Sequence, residues 1–104
     1  MIAEFVTFTH PDGTTRAEIV EGALAVLPRW RAEPDLFRKH FLVSQDNRQG
    51  AGLYFWHSLE AAREAHNAEW IAEKERQTGA AVTITYYDLV LMLDNETGSV
   101  VQPE

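Results

Sequence analysis

The order of the predicted elements indicates an α+β fold, a ferredoxin-like βαββαβ sandwich with a four-stranded antiparallel sheet. Three observations predict it. A strand-like segment of β-branched and aromatic residues precedes an amphipathic helix, two further strand-like segments follow with a short polar turn between them, and a second helix leads into a last apolar strand. That order is typical of a sheet that carries both helices on one face.

The first strand and first helix are bounded by turn and cap residues. Residues 2–9 end at the sequence His-Pro-Asp-Gly over 10–13, a strong turn signal. Thr15 and Glu18 have the spacing of a capping box, so we expect a helix to begin there. Pro28 cannot donate a backbone hydrogen bond and clashes with the preceding turn, so the helix should end or bend just before it.

The second half of the chain predicts a hairpin, a long helix and a strand. Strands are expected over 36–44 and 52–57, with a polar turn between them. Ser58 is a suitable N-cap, and Gly79 is placed to terminate the helix that Ser58 begins. A last strand is expected over 82–93. We expect one domain over residues 1–94.

Composition excludes several classes of function. The 104 residues carry a formal charge of −7 and only nine Lys plus Arg, whereas nucleic-acid binding needs a basic face. The absence of cysteine excludes disulfides, thiolate metal sites and a cysteine nucleophile. No apolar run approaches the ~20 residues of a membrane span, and the first residues lack the basic start of a signal peptide. We therefore expect a cytoplasmic protein with no nucleic-acid or membrane partner.

Both faces of the predicted sheet are apolar, although the helices cover only one. A sheet with one solvated face should alternate apolar and polar residues, and residues 36–43, 53–56 and 89–93 do not. A second apolar face must be buried, which predicts a homodimer through the sheet face. Residues 95–104 are expected to form a C-terminal tail that could pack on the partner chain. The alternative is a tolerated surface patch.

Short motifs in the central hairpin give the chain a family resemblance. They are Pro34-Asp35-Leu36, Lys39, Ser44, Asn47, Gly52 with Tyr54, and Ser58-Leu59-Glu60-Ala61-Ala62. With these residues the chain resembles the dimeric α+β barrel superfamily, which includes the antibiotic-biosynthesis monooxygenases, and most closely its YdhR-type members. Asp35 is a departure, because the family usually has glycine there.

The resemblance implies a dimeric α+β barrel with a pocket between the sheet and the helices of each protomer. Characterised relatives oxidise aromatic polyketides with molecular oxygen and use neither metal nor flavin, which implies no cofactor. Other members of the superfamily degrade haem or isomerise lactones. The catalytic residues of the characterised branches do not map onto this chain residue by residue, so none is carried over.

His66 is the candidate catalytic residue. It lies with Leu59, Ala62 and Trp70 on the inward stripe of the predicted second helix, so its imidazole should point between helix and sheet. An imidazole there could act as a general base or orient a phenolic substrate, since its unperturbed pKa is near neutrality. The alternative is a core histidine bonded to a backbone carbonyl or a tyrosine hydroxyl.

The candidate substrate-binding residues are aromatic or cationic side chains of the same unit. They are Trp70, Trp56, Tyr54, His40, Arg38 and Tyr86. The period of two places Arg38 with His40 on one face, and Tyr54 with Trp56 on one face. Which face meets the helices stays open, because a shift of one residue reverses the answer. No metal site is expected, because the four histidines lack any recognisable ligand spacing.

These observations support two hypotheses of different classes. The first is a cofactor-independent monooxygenase that acts on an aromatic or apolar small molecule between sheet and helices. The second is a non-catalytic dimeric module of the same fold that binds a small molecule or has a structural role. Fold alone does not decide between them.

Overall fold

A four-stranded antiparallel sheet packs against four helices in the computed structural model, which describes residues 1–103. A separate two-stranded hairpin follows the sheet. In chain order the elements are β1 (Ile2–Thr9), α1 (Arg16–Ala25), α2 (Leu27–Arg31), β2 (Leu36–Val43), β3 (Gln49–Trp56), α3 (Leu59–Ala65), α4 (Ala68–Thr78), β4 (Thr83–Asp88), β5 (Met92–Asp94) and β6 (Ser99–Val101).

The sheet order is β2-β3-β1-β4, with every neighbouring pair antiparallel. The first and last strands of the βαββαβ order are therefore neighbours, as a ferredoxin-like sandwich requires. The predicted α+β fold class is confirmed. None of the helices in the described part of the chain is long and apolar enough to cross a membrane.

Local sequence signals account for the first helix and for its break. Oγ1 of Thr15 accepts a hydrogen bond from the Glu18 N–H at 3.2 Å, and Oε1 of Glu18 accepts one from the Thr15 N–H at 3.0 Å. This is the predicted capping box. Pro28 lies in the first turn of α2, where its missing N–H is not needed. The predicted bend is thus a break between two helices.

The second predicted helix is also two helices, which corrects the placement of His66. α3 ends at Ala65, and His66 has φ −115° and ψ 56°, outside the helical region. Asn67 then begins α4, because its Oδ1 accepts a hydrogen bond from the Trp70 N–H at 2.9 Å. The imidazole therefore comes from a helix junction rather than from a continuous stripe. Gly79 ends α4 with φ 72°, as predicted.

The last predicted strand is shorter than expected. β4 ends at Asp88, and the apolar residues after it lead into the β5–β6 hairpin, in which Met92 pairs with Val101. The hairpin extends into the predicted tail over 95–104, of which residue 104 lies outside the described residues. Its large apolar side chains, Leu93 and Val100 among them, are exposed.

A β-bulge in β2 sets which side chains meet the helices. Leu36 pairs with Trp56, but Arg38 pairs with the adjacent residue Phe55, so Phe37 is an extra residue in the strand. Because successive strand residues face opposite sides of the sheet, one extra residue reverses the facing of every later position. The buried core lies on the helix side and consists of Glu4, Val6, Trp30, Tyr54, Trp56, Ala62, Ala65 and His66.

Candidate functional site

A cavity of about 800 Å³ lies between the helix-facing side of the sheet and helices α1, α2 and α4. Apolar side chains of α1 and α2 form its roof, and the sheet forms its floor. Most of the remaining wall is aromatic or cationic. The aromatic and cationic lining residues are Phe8, His10, Arg16, Arg29, Trp30, Lys39, Phe41, Tyr54, Trp70 and Lys74.

Two glycines of β3 make room for the aromatic floor. A Cβ at Gly52 would lie 2.5 Å from Cε1 of Tyr54, and a Cβ at Gly50 would lie 2.7 Å from Nε2 of His10. Such approaches are far inside van der Waals contact. The rings of Tyr54 and Phe8 can lie over β3 only because these positions carry no side chain.

Lys39 projects into the aromatic part of the cavity. Its Nζ lies 3.8 Å from the ring centroid of Phe41, 3.9 Å from that of Tyr54 and 5.0 Å from that of Trp30. Burial, together with the charge of Lys74, lowers the pKa of Lys39 to about 7. The ammonium group is held by ring faces, which attract a cation, although its desolvation favours the neutral amine.

Lys74 and His10 form a second polar group on the cavity wall. Nζ of Lys74 lies 4.1 Å from the ring centroid of Phe8, and the ring of His10 meets the same phenyl ring edge-on at 5.3 Å. Burial lowers the pKa of Lys74. Burial of the imidazole, together with the nearby charge of Lys74, lowers the pKa of His10. Nε2 of His10 is buried and has no hydrogen-bond partner within residues 1–103.

A buried carboxylate lies behind the aromatic wall. Oε1 of Glu4 accepts a hydrogen bond from Nε1 of Trp56 at 2.9 Å and lies 2.8 Å from Nδ1 of His66. Neither imidazole nitrogen of His66 has a hydrogen-bond partner of normal geometry in the described chain. The contact between Glu4 and His66 is therefore short but poorly aligned for a hydrogen bond. The side chains of Glu4 and His66 are both fully buried.

Three aromatic rings separate His66 from the cavity. The imidazole stacks on Trp30 with centroids 5.3 Å apart, and Tyr54 and Trp70 meet it edge-on at 4.6 Å and 4.5 Å. Those three residues line the cavity and His66 does not. The imidazole therefore lies in the packed core between helices and sheet and does not reach across the space that separates it from the cavity. The packing of the three rings occupies that space.

The predicted binding residues divide into three groups. Tyr54 and Trp70 line the cavity, as expected, and Trp56 lies fully buried behind Tyr54. Tyr86 pairs with Glu4 across β1 and β4. Burial of the phenol, together with the nearby charge of Glu4, raises the pKa of Tyr86 to about 12. Tyr86 is not among the cavity-lining residues.

Arg38 and His40 lie on the opposite face of the sheet, which corrects their assignment to the pocket. His40 pairs with Leu53 and meets the ring of Phe55 edge-on, and Nη1 of Arg38 lies 3.7 Å from the sulfur of Met92. The bulge at Phe37 places them there, because it turns Lys39, the residue between Arg38 and His40, towards the helices.

Sequence reasoning missed four polar residues of this region. Lys39 and Lys74 line the cavity, and so does His10, which begins the predicted turn over 10–13. The bulge hid the facing of Lys39. Glu4 could have been found, because it alternates with Val6 on the inward face of the first strand, where a carboxylate is unusual.

The cavity offers no cluster of metal ligands. In the described residues, no group of three or more His, Cys, Asp or Glu side chains could hold a metal ion. The polar side chains that line the cavity include two amines, two guanidinium groups, one imidazole and one phenol, which bind organic anions and hydroxyl groups, and two carboxylates.

Solved structures share this fold at low sequence identity. A monooxygenase from the gene ActVA-Orf6 of Streptomyces coelicolor, in complex with nanaomycin D, has a TM-score of 0.62 and 19% identity over 83% of this chain and 84% of that one. SnoaB, a cofactor-independent oxygenase from Streptomyces nogalater, has a TM-score of 0.60 and 13% identity over 85% and 91%. NE2512 of Nitrosomonas europaea, a protein of unknown function, has a TM-score of 0.67 and 15% identity over 86% of this chain and 88% of that one.

At these identities the similarity establishes the fold, and the activities belong to those proteins. No protein-family profile matches the chain. No curated protein matches it at a significant level.

Proposed function

We propose that the protein is a cofactor-independent monooxygenase, closest to the YdhR-type members of its superfamily, that oxidises a planar aromatic small molecule in the cavity between sheet and helices. The observation that carries the proposal is the cavity itself, which is large enough for a fused-ring compound and is walled by Phe41, Tyr54, Trp30 and Trp70. Aromatic walls favour flat, apolar ligands. The fold it shares with oxygenases supports the reaction class.

The reaction needs an electron-rich substrate anion. When a phenolic ring system with an activated CH₂ group loses a proton, the carbanion can pass electrons to O₂. Conversion of CH₂ to C=O supplies four electrons, so one oxygen atom enters the substrate and the other leaves as water with the two hydrogens. No external reductant is required. The protein would contribute a base and a pocket that excludes water.

Lys39 is the residue best placed to serve as that base. Its amine lies inside the cavity, and a pKa of about 7 leaves a substantial neutral fraction at neutral pH. His66 was the first candidate, but it would have to act through the rings that enclose it. We therefore assign it a positioning role, in which Glu4 and His66 together fix Tyr54 and Trp70.

The second part of the proposal is a homodimer through the open face of the sheet. On this face Tyr87 is 59% exposed and Phe55 is half-buried, and the hairpin residues Leu93 and Val100 are exposed beside the sheet. An apolar surface of this kind is usually covered, and a second copy is the simplest cover. Sedimentation velocity at micromolar concentration tests it, with a dimer expected and a monomer contradicting it.

One observation favours the alternative of a non-catalytic binding module. The imidazole that could have served as an acid or base is sealed within the core, as in a purely structural arrangement. A module would use the same cavity and bind the same compounds without turning them over. It would not depend on the protonation state of Lys39.

Oxygen consumption tests the proposal. Metal-depleted protein is mixed with anthrone and with a panel of hydroxylated naphthalenes, and oxygen uptake is followed with an electrode. We expect uptake above the uncatalysed rate for at least one compound, and its loss in Lys39→Met but not in Arg31→Met, a control that removes an exposed cation outside the cavity. Binding without uptake for every compound would support the module.

A further inference from the structure

Both lysines of the chain line one cavity, although the protein is strongly acidic. The sequence contains two lysines, Lys39 and Lys74, and carries a formal charge of −7. Lys39 comes from β2 and Lys74 from α4, so the sheet and a helix each contribute one amine to the cavity wall. With Arg16 and Arg29, four of the nine Lys and Arg side chains line this cavity.

Neither lysine has a carboxylate partner in the described chain. The ion pairs found there join Arg48 to Asp12, His66 to Glu4 and Arg76 to Glu73. Two half-buried ammonium groups without a counter-ion are costly, and proteins usually pair such charges or use them at a binding site.

The carboxylates on the cavity wall are already engaged elsewhere. Glu18 accepts hydrogen bonds from the N–H and the hydroxyl of Thr15, and Glu73 is bonded to Arg76 and Gln77. Glu4 acts on Lys39 only through its charge, from behind the aromatic wall.

The two arginines on the wall are engaged as well. Nε of Arg16 donates to Oδ1 of Asn47 at 2.6 Å, and Nη2 of Arg29 donates to the carbonyl oxygen of Ala65 at 2.9 Å. The lysine amines, the Tyr54 hydroxyl and the unpartnered Nε2 of His10 are therefore among the polar groups left for a ligand.

We propose that the cavity selects aromatic anions, and that Lys39 and Lys74 bind the anionic oxygen while the surrounding rings hold the aromatic skeleton. The inference rests on the proposed function, since it names the class of substrate for the same cavity. The anionic oxygen can belong to a carboxylate or to an ionised ring hydroxyl, both of which accept hydrogen bonds from ammonium groups. A bound phenolate would be held in the ionised form that reacts with oxygen.

Recognition by Lys39 makes the selectivity depend on pH. The charged groups that face Lys39 are Glu4 from β1, Arg29 from α2 and Lys74 from α4. Since the pKa of Lys39 is about 7, its ammonium form dominates below neutrality and its amine above. Selection for an anion should weaken as the pH rises, although Lys74 maintains part of it.

Binding of three matched naphthalenes tests the inference. Naphthalene-2-carboxylate, 2-naphthol and naphthalene-2-carboxamide are titrated into the intact protein by calorimetry. We expect the carboxylate to bind about tenfold or more tightly than the amide at about pH 5.5, with a smaller ratio at about pH 8.5. Ionisation of bound 2-naphthol, read from its red-shifted naphtholate absorption, would identify an ionised hydroxyl as the recognised group.

Variants assign the selectivity to the lysines. Lys39→Met and Lys74→Met should each reduce the carboxylate-to-amide ratio, whereas Arg31→Met, outside the cavity, should leave the affinities for both compounds unchanged. Lys39→Arg keeps the charge at high pH, so its ratio should no longer fall between about pH 5.5 and 8.5.

The outcomes separate the two proposals. Equal binding of carboxylate and amide by the wild type overturns the inference and leaves the cavity's function standing. A ratio that survives in both methionine variants overturns the role of the lysines. Failure of all three compounds to bind overturns both proposals. Selective binding of the carboxylate without oxygen uptake would support the anion-selective cavity and contradict the proposed oxygenase activity.

Discussion

Nδ1 of His66 lies 2.8 Å from Oε1 of Glu4 in a compartment that the aromatic wall closes off from the cavity. The same oxygen accepts the indole N–H of Trp56. One carboxylate thus links β1 and β3 to the junction between α3 and α4. Its physical role is to hold the rings that form the back of the cavity.

Glu4→Ala should destabilise the fold by about 2–4 kcal/mol, because it leaves the buried indole N–H of Trp56 unpaired and opens a void. Glu4→Gln should cost less, since its amide oxygen can still accept that hydrogen bond. Urea unfolding measures both. Glu21→Ala, at an exposed position of α1, should stay within about 0.5 kcal/mol of the wild type. Equal effects of Glu4→Ala and Glu21→Ala would contradict the role of Glu4.

His66 should be protected from modification in the folded protein. Its side chain is fully buried, whereas His57 is exposed at the end of β3. Diethyl pyrocarbonate should therefore modify His57 quickly and His66 only when the protein is unfolded in urea, with sites identified by mass spectrometry. If His66 reacts as fast as His57 in the native protein, the imidazole is open to the cavity and its catalytic role returns.

Two glycine substitutions should have opposite effects on stability. Gly52→Ala places a Cβ 2.5 Å from the ring of Tyr54, so it should destabilise by about 1–3 kcal/mol and weaken ligand binding. Gly22→Ala lies within α1, with nothing within 4 Å of the added Cβ, and should stabilise by about 0.5–1 kcal/mol. Thermal unfolding measures both. A neutral Gly52→Ala would show that Tyr54 does not need its observed position.

Lys39 should make the stability rise with pH above neutrality. Its pKa is about 7 in the folded state and near 10.4 when the chain is unfolded, so the unfolded state binds more protons between these values. Stability should therefore increase from about pH 7 to about pH 9.5, and Lys39→Met should reduce that slope and stabilise the protein most at or below neutrality. Urea unfolding at several pH values measures it. An unchanged slope in the variant would place the ammonium in water.

Acidic residues on the open sheet face should disrupt self-association. Phe55→Glu or Tyr87→Glu introduces a carboxylate into the proposed dimer interface, so sedimentation should shift from dimer to monomer. Ala72→Glu changes an exposed side chain on α4, outside the cavity and away from the open face, and should leave the dimer intact. Dissociation by all three variants alike would point to a different interface.

The sequence predicted the fold well because its signals are local. Four signals each specify one helix boundary through backbone hydrogen bonding or φ alone. They are the capping box at Thr15, Pro28 near the end of the first helix, the cap at Ser58, and Gly79. The break at His66 was missed because Asn67 was not recognised as the cap of a new helix. The uninterrupted apolar spacing concealed it.

The site was predicted only in part, because the side of the sheet that a side chain faces depends on the strand register. A single bulge at Phe37 brings Lys39 to the helix side and sends Arg38 and His40 to the open face. Nothing in the alternation of the strand reveals which residue is extra. Tyr54 lines the cavity, and β3, which has no bulge, alternates without a break from Gly50 to Trp56, but the sequence left open which of its faces meets the helices.

The measurement that tests the account most directly is NMR chemical-shift mapping with naphthalene-2-carboxylate. The account predicts shifts that cluster on the cavity wall, with the largest changes at Lys39, Tyr54 and Trp70, including the Nζ signal of the lysine. Shifts confined to Phe55 and Tyr87 on the open face of the sheet would contradict it.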